Sequence, residues 1–420
     1  MTQPWPAPVA VGPVHATVPV PGSKSVTNRA LILAALSQSP STLVGPLLSR
    51  DTLLMCGGLR ALGTGIEERY DEWLVSPRPL AGPASIDVGN AGTVMRFLPP
   101  VAALAVGDVR FDGDPRARDR PLSPVVDGLR ALGADVTDTS GGLPLTVRGR
   151  GWLLGGSVTL DASMSSQFVS ALLLAAPRCA DAVEVRHVGG RLPSGTHIEM
   201  TVEMLRTAGA IVEHIDNLSW RVEPGPLRLG RLHIDPDLSS AAPFLAAAAV
   251  TSGRVTVPGW PARTTQAGDA LRRLLAQFGA RCELTPAGLE VTGPDRLKGI
   301  DVDLGDAGEL TPVLTALCAL ADGPSRLRGI SHLRHHETDR LAALSAEITA
   351  LGGDVQETDD GLLIRPRPMH GGVFATHDDH RLATAAAVIG LCVPGVLVEN
   401  VATTAKTMPG FVDLWTGMLG

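Results

Sequence analysis

Tyrosine occurs once, and aromatic residues make up only 3 % of the 420 positions. A core must then be built from Leu, Val, Ile and Ala, and helices of such residues suit places enclosed on several sides. The five cysteines, Cys56, Cys179, Cys282, Cys318 and Cys392, lie far apart, with no CxxC pair and no ligand-like spacing to histidine. They read as reduced, mostly buried thiols, which fits the cytoplasm. The opening MTQPWPAPVAVGPVHATV has no basic segment followed by an apolar one, so no signal peptide is expected. Apolar runs are short and broken by Pro, Gly or charge, and none reads as a membrane span. The net charge of -7 argues against general nucleic-acid binding. An anionic ligand would need a local concentration of Arg and Lys. The 44 % hydrophobic and 19 % charged residues are ordinary for a soluble globular enzyme, and the length predicts two domains or one large one.

One phrase recurs along the chain: a helix, then Leu-Gly or a similar pair, then a strand. It appears as GLRALGTGIEE, GLRALGADVTDT, MLRTAGAIVEHI, LLAQFGARCELT and ITALGGDVQET. The turn glycines Gly63, Gly133, Gly209, Gly279 and Gly352 are 70, 76, 70 and 73 residues apart, and Gly420 follows 68 residues later. A glycine there supplies the left-handed position that closes a helix. Six units of about 70 residues fit the length. A second helix recurs once per unit, polar at its start and then small and apolar. Its copies begin at SKSVTNRALILAAL, NAGTVMRFLPPVAAL, MSSQFVSALLLAA, SSAAPFLAAAAV, GELTPVLTALCAL and HDDHRLATAAAVIGL. GLPLTVRG, LSWRVEPG and GLEVTG read as strands. So small a unit has a limited core, so several should merge. Division into three plus three, with a midpoint near residues 232–237, predicts two domains with a cleft between them.

Helix starts carry unsatisfied N–H groups and the positive dipole end, so several of them could build an anion site. Ser, Thr, Asp and Asn at such places are ordinary caps. Caps do not explain Lys24, Arg29, Arg96, Arg120, Arg340, Arg381 and Lys406, all near helix starts. Cations there oppose the dipole and call for an anionic partner.

The stretches GSKSVTNRA, NAGTVMR, DPRARDRPL, SSQF, ETDRL, DDHR and AKTMPGF occur in that order, from residue 22 to residue 411. Together with the sixfold repeat, they resemble the 5-enolpyruvylshikimate-3-phosphate (EPSP) synthases of the enolpyruvyl transferase family. The resemblance implies an α/β (α+β) fold of two domains, each of three βαβαββ units with buried helices, and an active site in the cleft between them. It implies one domain of residues 1–18 with 237–420, holding both termini, and a second of residues 19–236. The implied reaction moves the enolpyruvyl group of phosphoenolpyruvate to the 5-hydroxyl of shikimate 3-phosphate, a step of chorismate and aromatic amino acid biosynthesis.

Both substrates are phosphorylated carboxylates, and clustered Arg and Lys would neutralise them. By motif, Lys24, Gly92, Arg120, Gln167, Arg340, Arg381 and Lys406 fall where the family binds phosphoenolpyruvate, and Glu337 matches the same pocket. Lys24, Ser25, Arg29, Thr93, Ser165, Ser166, Gln167, Ser194, His197, Glu309 and His336 match the shikimate-phosphate side. The implied mechanism is addition, giving a tetrahedral ketal phosphate, followed by elimination of phosphate. It needs no metal and no organic cofactor, since phosphate is a good leaving group and the cations supply the electrostatics. Glu309 is the carboxylate expected to handle the 5-hydroxyl proton, with Asp306 as the fallback; Lys24, Lys406 and Glu337 are candidates for the acid. His380 is expected as a hydrogen-bonding partner near the phosphate. The implied partners are the two small-molecule substrates, with no nucleic acid and no membrane; a cytoplasmic monomer and a glyphosate target are expected.

The sequence departs from the family pattern in several places. Glu309 stands where many members have Asp, Thr196 and His197 where Pro and Tyr are common, and His332 and His336 where Asn and Lys are common. Phe97 stands where Pro is common, which would alter the packing behind Gly92. His335 and His336 could suggest a metal pair, but neighbours on a helix point in different directions. Two alternatives stand beside this reading. The sister enzyme that acts on UDP-N-acetylglucosamine commonly has a Lys-Asn pair and a loop Cys. Here the pair is Lys24-Ser25, and ARDRPL has no Cys. A non-catalytic phosphometabolite-binding relative would keep the cations but would not need Glu309, Glu337 and both lysines.

Overall fold

The computed structural model describes residues 3–420. The described chain divides into two compact units. One runs from Gly22 to Ile234; the other joins the residues up to Pro21 to Asp235–Gly420. Each has its own apolar core.

The Gly22–Ile234 unit holds three four-stranded sheets. In one, Ala84–Asp87 pairs in parallel with Val106–Asp112, and Gly142–Arg150 and Asp135–Thr139 follow antiparallel. The helix Gly92–Ala103 crosses over between the parallel strands, and Ser123–Ala131 leads into the antiparallel pair. This is one βαβαββ unit. Gly156–Leu160, Val183–His187, Val212–Asp216 and Ser219–Val222 repeat it around the helices Gln167–Ala175 and Gly195–Thr207. The third sheet is completed from a distance: Arg231–His233 pairs in parallel with Ser41–Val44, beside Glu72–Ser76 and Gly65–Glu68.

The other unit shows the same pattern. Asp301–Asp303, Ser325–Arg328, Leu362–Arg365 and Asp354–Glu357 form a complete copy. His15–Thr17 completes the sheet of Arg254–Val257, Gly288–Thr292 and Arg281–Thr285. Trp5–Pro6 closes a three-stranded sheet on Val396–Val398, itself parallel to Gly372–Phe374.

The two recurring helix types differ in burial, as their compositions require. In Gln167–Ala175 every residue after Gln167 is buried, and in Ala242–Thr251 Ala242 through Ala249 are. Small side chains allow close approach on every face. The second type ends at the turn glycines. Gly63, Gly133, Gly209, Gly279 and Gly352 have φ of 102°, 89°, 94°, 103° and 93°, a conformation other residues avoid.

Candidate active site

In the Gly22–Ile234 unit, three of the small-residue helices begin with expected site residues. Lys24 is the first residue of Lys24–Leu36, Gly92 of Gly92–Ala103 and Gln167 of Gln167–Ala175. Ser23 caps the first helix, its Oγ accepting from Val26 N. Lys24 Nζ lies 3.2 Å from the buried carboxylate of Asp51. The Gly92 turn is crowded: a Cβ there would meet Arg120 Nη2 at 2.8 Å, Arg96 Nη1 at 3.2 Å and Gln167 Oε1 at 3.2 Å. Arg120 reaches it by donating to Asn90 O and Asn90 Oδ1 at 2.8 and 3.0 Å. Arg96 donates to Gln167 Oε1 at 2.8 Å. Thr93 Oγ1 accepts from Asn28 Nδ2 at 2.7 Å. Ser165 and Ser166 precede Gln167, and Ser165 Oγ accepts from its backbone N–H. Ser194 stands before Gly195–Thr207 at φ 50°, ψ 47°, a left-handed conformation uncommon for a residue with a side chain. His197 lies in the first turn of that helix.

Arg29 is placed differently from its neighbours. It is 1 % exposed. Its guanidinium donates to Thr201 Oγ1 at 2.7 Å, Ser25 O at 3.1 Å, His197 O at 3.1 Å and Ser170 Oγ at 3.4 Å. Four of its donor directions are thus met inside the protein. Burial lowers its pKa to about 9.

In the other unit Arg340 and Lys406 are already held by carboxylates. Arg340, also buried, donates to Asp379 Oδ2 at 2.7 Å and to Glu337 Oε2 at 3.0 Å. Burial works against its charge, but Asp379, Glu337 and Glu309 outweigh it and raise its pKa. Glu337 also accepts from Lys406 Nζ at 3.0 Å, bridging two cations. Arg340 Nη1 lies 3.1 Å from His336 Nδ1. A guanidinium only donates, so this nitrogen is the acceptor and a neutral His336 carries its proton on Nε2. The His336 ring meets His332 edge to face, at 5.7 Å between centroids. Glu309 Oε1 accepts from Ser239 Oγ at 3.1 Å, and Ser239 O accepts from Arg381 Nη1 at 3.4 Å. Asp379 caps the helix His380–Cys392 by accepting from Arg381 N at 2.8 Å. His380 is buried, with Nδ1 3.7 Å from Asp379 Oδ1. Asp306 is exposed, whereas Glu309 is half-buried in a 3-10 turn.

The cations at helix starts call for anionic partners, and for Lys24, Arg340 and Lys406 these include Asp51, Asp379 and Glu337 of the protein itself. Asp51, Asp379, Asn90 and Ser239 were not singled out. Asp379 was legible as a cap two places before Arg381. Its pairing with Arg340, 39 residues away, was not.

The model of the family described as EPSP synthase (3-phosphoshikimate 1-carboxyvinyltransferase) matches residues 9–415. The chain belongs to the EPSP synthase family. A 3-phosphoshikimate 1-carboxyvinyltransferase of Kocuria rhizophila is 54 % identical over 429 residues, covering 99 % of this chain and 96 % of that protein. Two solved EPSP synthases of Acinetobacter baumannii superpose with TM-scores of 0.83 and 0.80, at 26 % and 25 % identity. The first likeness covers 99 % of this chain and 98 % of that one, the second 98 % and 97 %. Around the candidate site of this EPSP synthase family member, charge is distributed unequally between the two units. The Gly22–Ile234 group sets Lys24, Arg29, Arg96 and Arg120 against Asp51. The other sets Arg340, Arg381 and Lys406 against Glu309, Glu337 and Asp379.

Proposed function

We propose that this chain catalyses enolpyruvyl transfer from phosphoenolpyruvate to the 5-hydroxyl of shikimate 3-phosphate, with release of phosphate. The observation that carries the reading is the Gly92 turn, where Arg120, Arg96 and Gln167 converge on a backbone with no side chain of its own. That arrangement suits a small, doubly charged ligand approaching the main chain.

In the Gly22–Ile234 unit, Lys24, Gly92, Arg120 and Gln167 are the phosphoenolpyruvate contacts. Ser25, Thr93, Ser165, Ser166, Ser194 and His197 take shikimate 3-phosphate together with Lys24 and Gln167, and Arg29 lends its charge from beneath. A cation surplus before any ligand arrives favours dianion capture there. In the other unit, Arg340, Arg381 and Lys406 are the phosphoenolpyruvate contacts. Asp379 and Glu337 hold Arg340 and Lys406 in place, Ser239 O accepts from Arg381, and the carboxylates limit repulsion among the cations. His336 and Glu309 serve the acceptor substrate.

Glu309 takes the proton of the attacking hydroxyl. Ser239 donates to one carboxylate oxygen and so fixes the orientation of the other. Lys24, Lys406 or Glu337 protonates the methylene carbon, giving C2 its cationic character. The hydroxyl oxygen closes on C2; phosphate then departs with the electrons of its C–O bond, while the group that gave the proton takes one back from the methyl carbon and the C=C bond re-forms. The cations stabilise the charge as it moves on to phosphate. The chain works as a cytoplasmic monomer, and glyphosate, an anion of similar size to phosphoenolpyruvate, inhibits it. Phosphate release from phosphoenolpyruvate, assayed with shikimate 3-phosphate and separately with UDP-N-acetylglucosamine, tests the assignment. Release with the first acceptor alone is expected; release with the second alone, or with neither, overturns it.

A further inference from the structure

We infer that Phe97 is a positioning residue: through the Arg29 guanidinium it sets the two helix first turns, at Ser25 and at His197, that receive shikimate 3-phosphate. The inference rests on the reading of those turns just given. Arg29 Cζ lies 5.2 Å from the centroid of the Phe97 ring, which is itself fully buried. No carboxylate lies within 4.0 Å of Arg29 among the described residues. A buried cation without a counter-ion is costly unless its surroundings face it with negative potential. Four neutral oxygens and the face of the Phe97 ring do so here.

The contacts form a closed circuit around three buried helices. Arg29, on Lys24–Leu36, stacks on Phe97, on Gly92–Ala103. Arg96, beside Phe97, stacks at 5.1 Å on Phe168, on Gln167–Ala175. Ser170 of that last helix accepts from Arg29, closing the ring. Arg29 is the member that reaches outward. Its bonds to Ser25 O and His197 O join the first turns of Lys24–Leu36 and Gly195–Thr207. A Phe97 ring that held the guanidinium less firmly would loosen both turns. Mere core filling is the competing explanation, and it predicts that shape alone matters at position 97.

Fluorination of the ring separates the two. Fluorine draws density from the ring face while nearly preserving its volume, so 4-fluoro-, 3,5-difluoro- and 3,4,5-trifluorophenylalanine at position 97 grade the attraction. The dissociation constant of shikimate 3-phosphate is expected to rise stepwise, to about tenfold for the trifluoro variant. The KM for phosphoenolpyruvate at saturating acceptor should stay within about twofold, since the Gly92 turn is held by Arg120. Calorimetry reads the binding without turnover. Equal binding across the series, equal weakening toward both substrates, or no binding of shikimate 3-phosphate by the wild type would overturn the inference. Wild-type binding without phosphate release would instead sink the catalytic reading and leave the series to decide this one.

Discussion

A Cβ on Gly92 would stand 2.8 Å from Nη2 of Arg120. That separation is too short for carbon against a guanidinium held by two bonds to Asn90. Arg120 must therefore shift if position 92 gains a methyl group. Gly92→Ala is predicted to raise the KM for phosphoenolpyruvate about tenfold or more while leaving the fold intact, since sub-ångström placement governs such contacts. Steady-state kinetics with circular dichroism checks this. An unchanged KM would remove Arg120 from the phosphoenolpyruvate contacts.

Asp379 is fully buried and has two tasks: counter-ion to Arg340 and cap for Arg381 N. Asp379→Asn keeps the shape and removes the charge. Removing one partner of a buried pair leaves the other uncompensated, so a loss of about 3 kcal/mol is expected, tempered by Glu337. Urea unfolding measures it. A loss below about 0.5 kcal/mol would mean that Glu337 alone suffices for Arg340.

The fold was legible where the chain repeats itself. Gly63, Gly133, Gly209, Gly279 and Gly352 announced their turns because only glycine tolerates those angles. The small apolar helices were legible because nothing in them could face water. Their starts were less so. Ser239, Gly308 and His377 lie three residues before Ala242, Thr311 and His380, where the helices begin. The polar residues there form turns, and Gly308–Leu310 is a 3-10 turn. The completing strands Trp5–Pro6, His15–Thr17 and Arg231–His233 carry too few residues to show a period. At the candidate site the cations were visible by type, whereas Asp51 and Asp379 required the pairing of distant segments. The Phe97 departure was seen, but its contact with Arg29, 68 residues earlier, has no local signal.

Burial pushes the thiols of Cys56, Cys179 and Cys318 from 9.0 up to about 12, with Glu68 adding to the effect at Cys56. Each folded thiol holds its proton more tightly than the unfolded one. The stabilisation is fully present below pH 9.0 and is lost as pH rises toward about 12. The unfolding free energy should therefore fall between pH 8 and 10.5, with a smaller fall in Cys318→Ala compared with its own value at pH 8. Parallel slopes for the two proteins would show that the thiol does not contribute.

Glyphosate should inhibit the wild type in competition with phosphoenolpyruvate. Full activity at millimolar glyphosate, with ordinary phosphoenolpyruvate affinity, would contradict this.

The most direct measurement is phosphate release by wild type and Glu309→Gln at saturating phosphoenolpyruvate and shikimate 3-phosphate. Loss of a positioned base predicts a kcat lower by about a hundredfold or more, with shikimate 3-phosphate binding within a few fold of wild type. A variant as fast as the wild type would contradict the account and move the proton to Asp306 or a lysine.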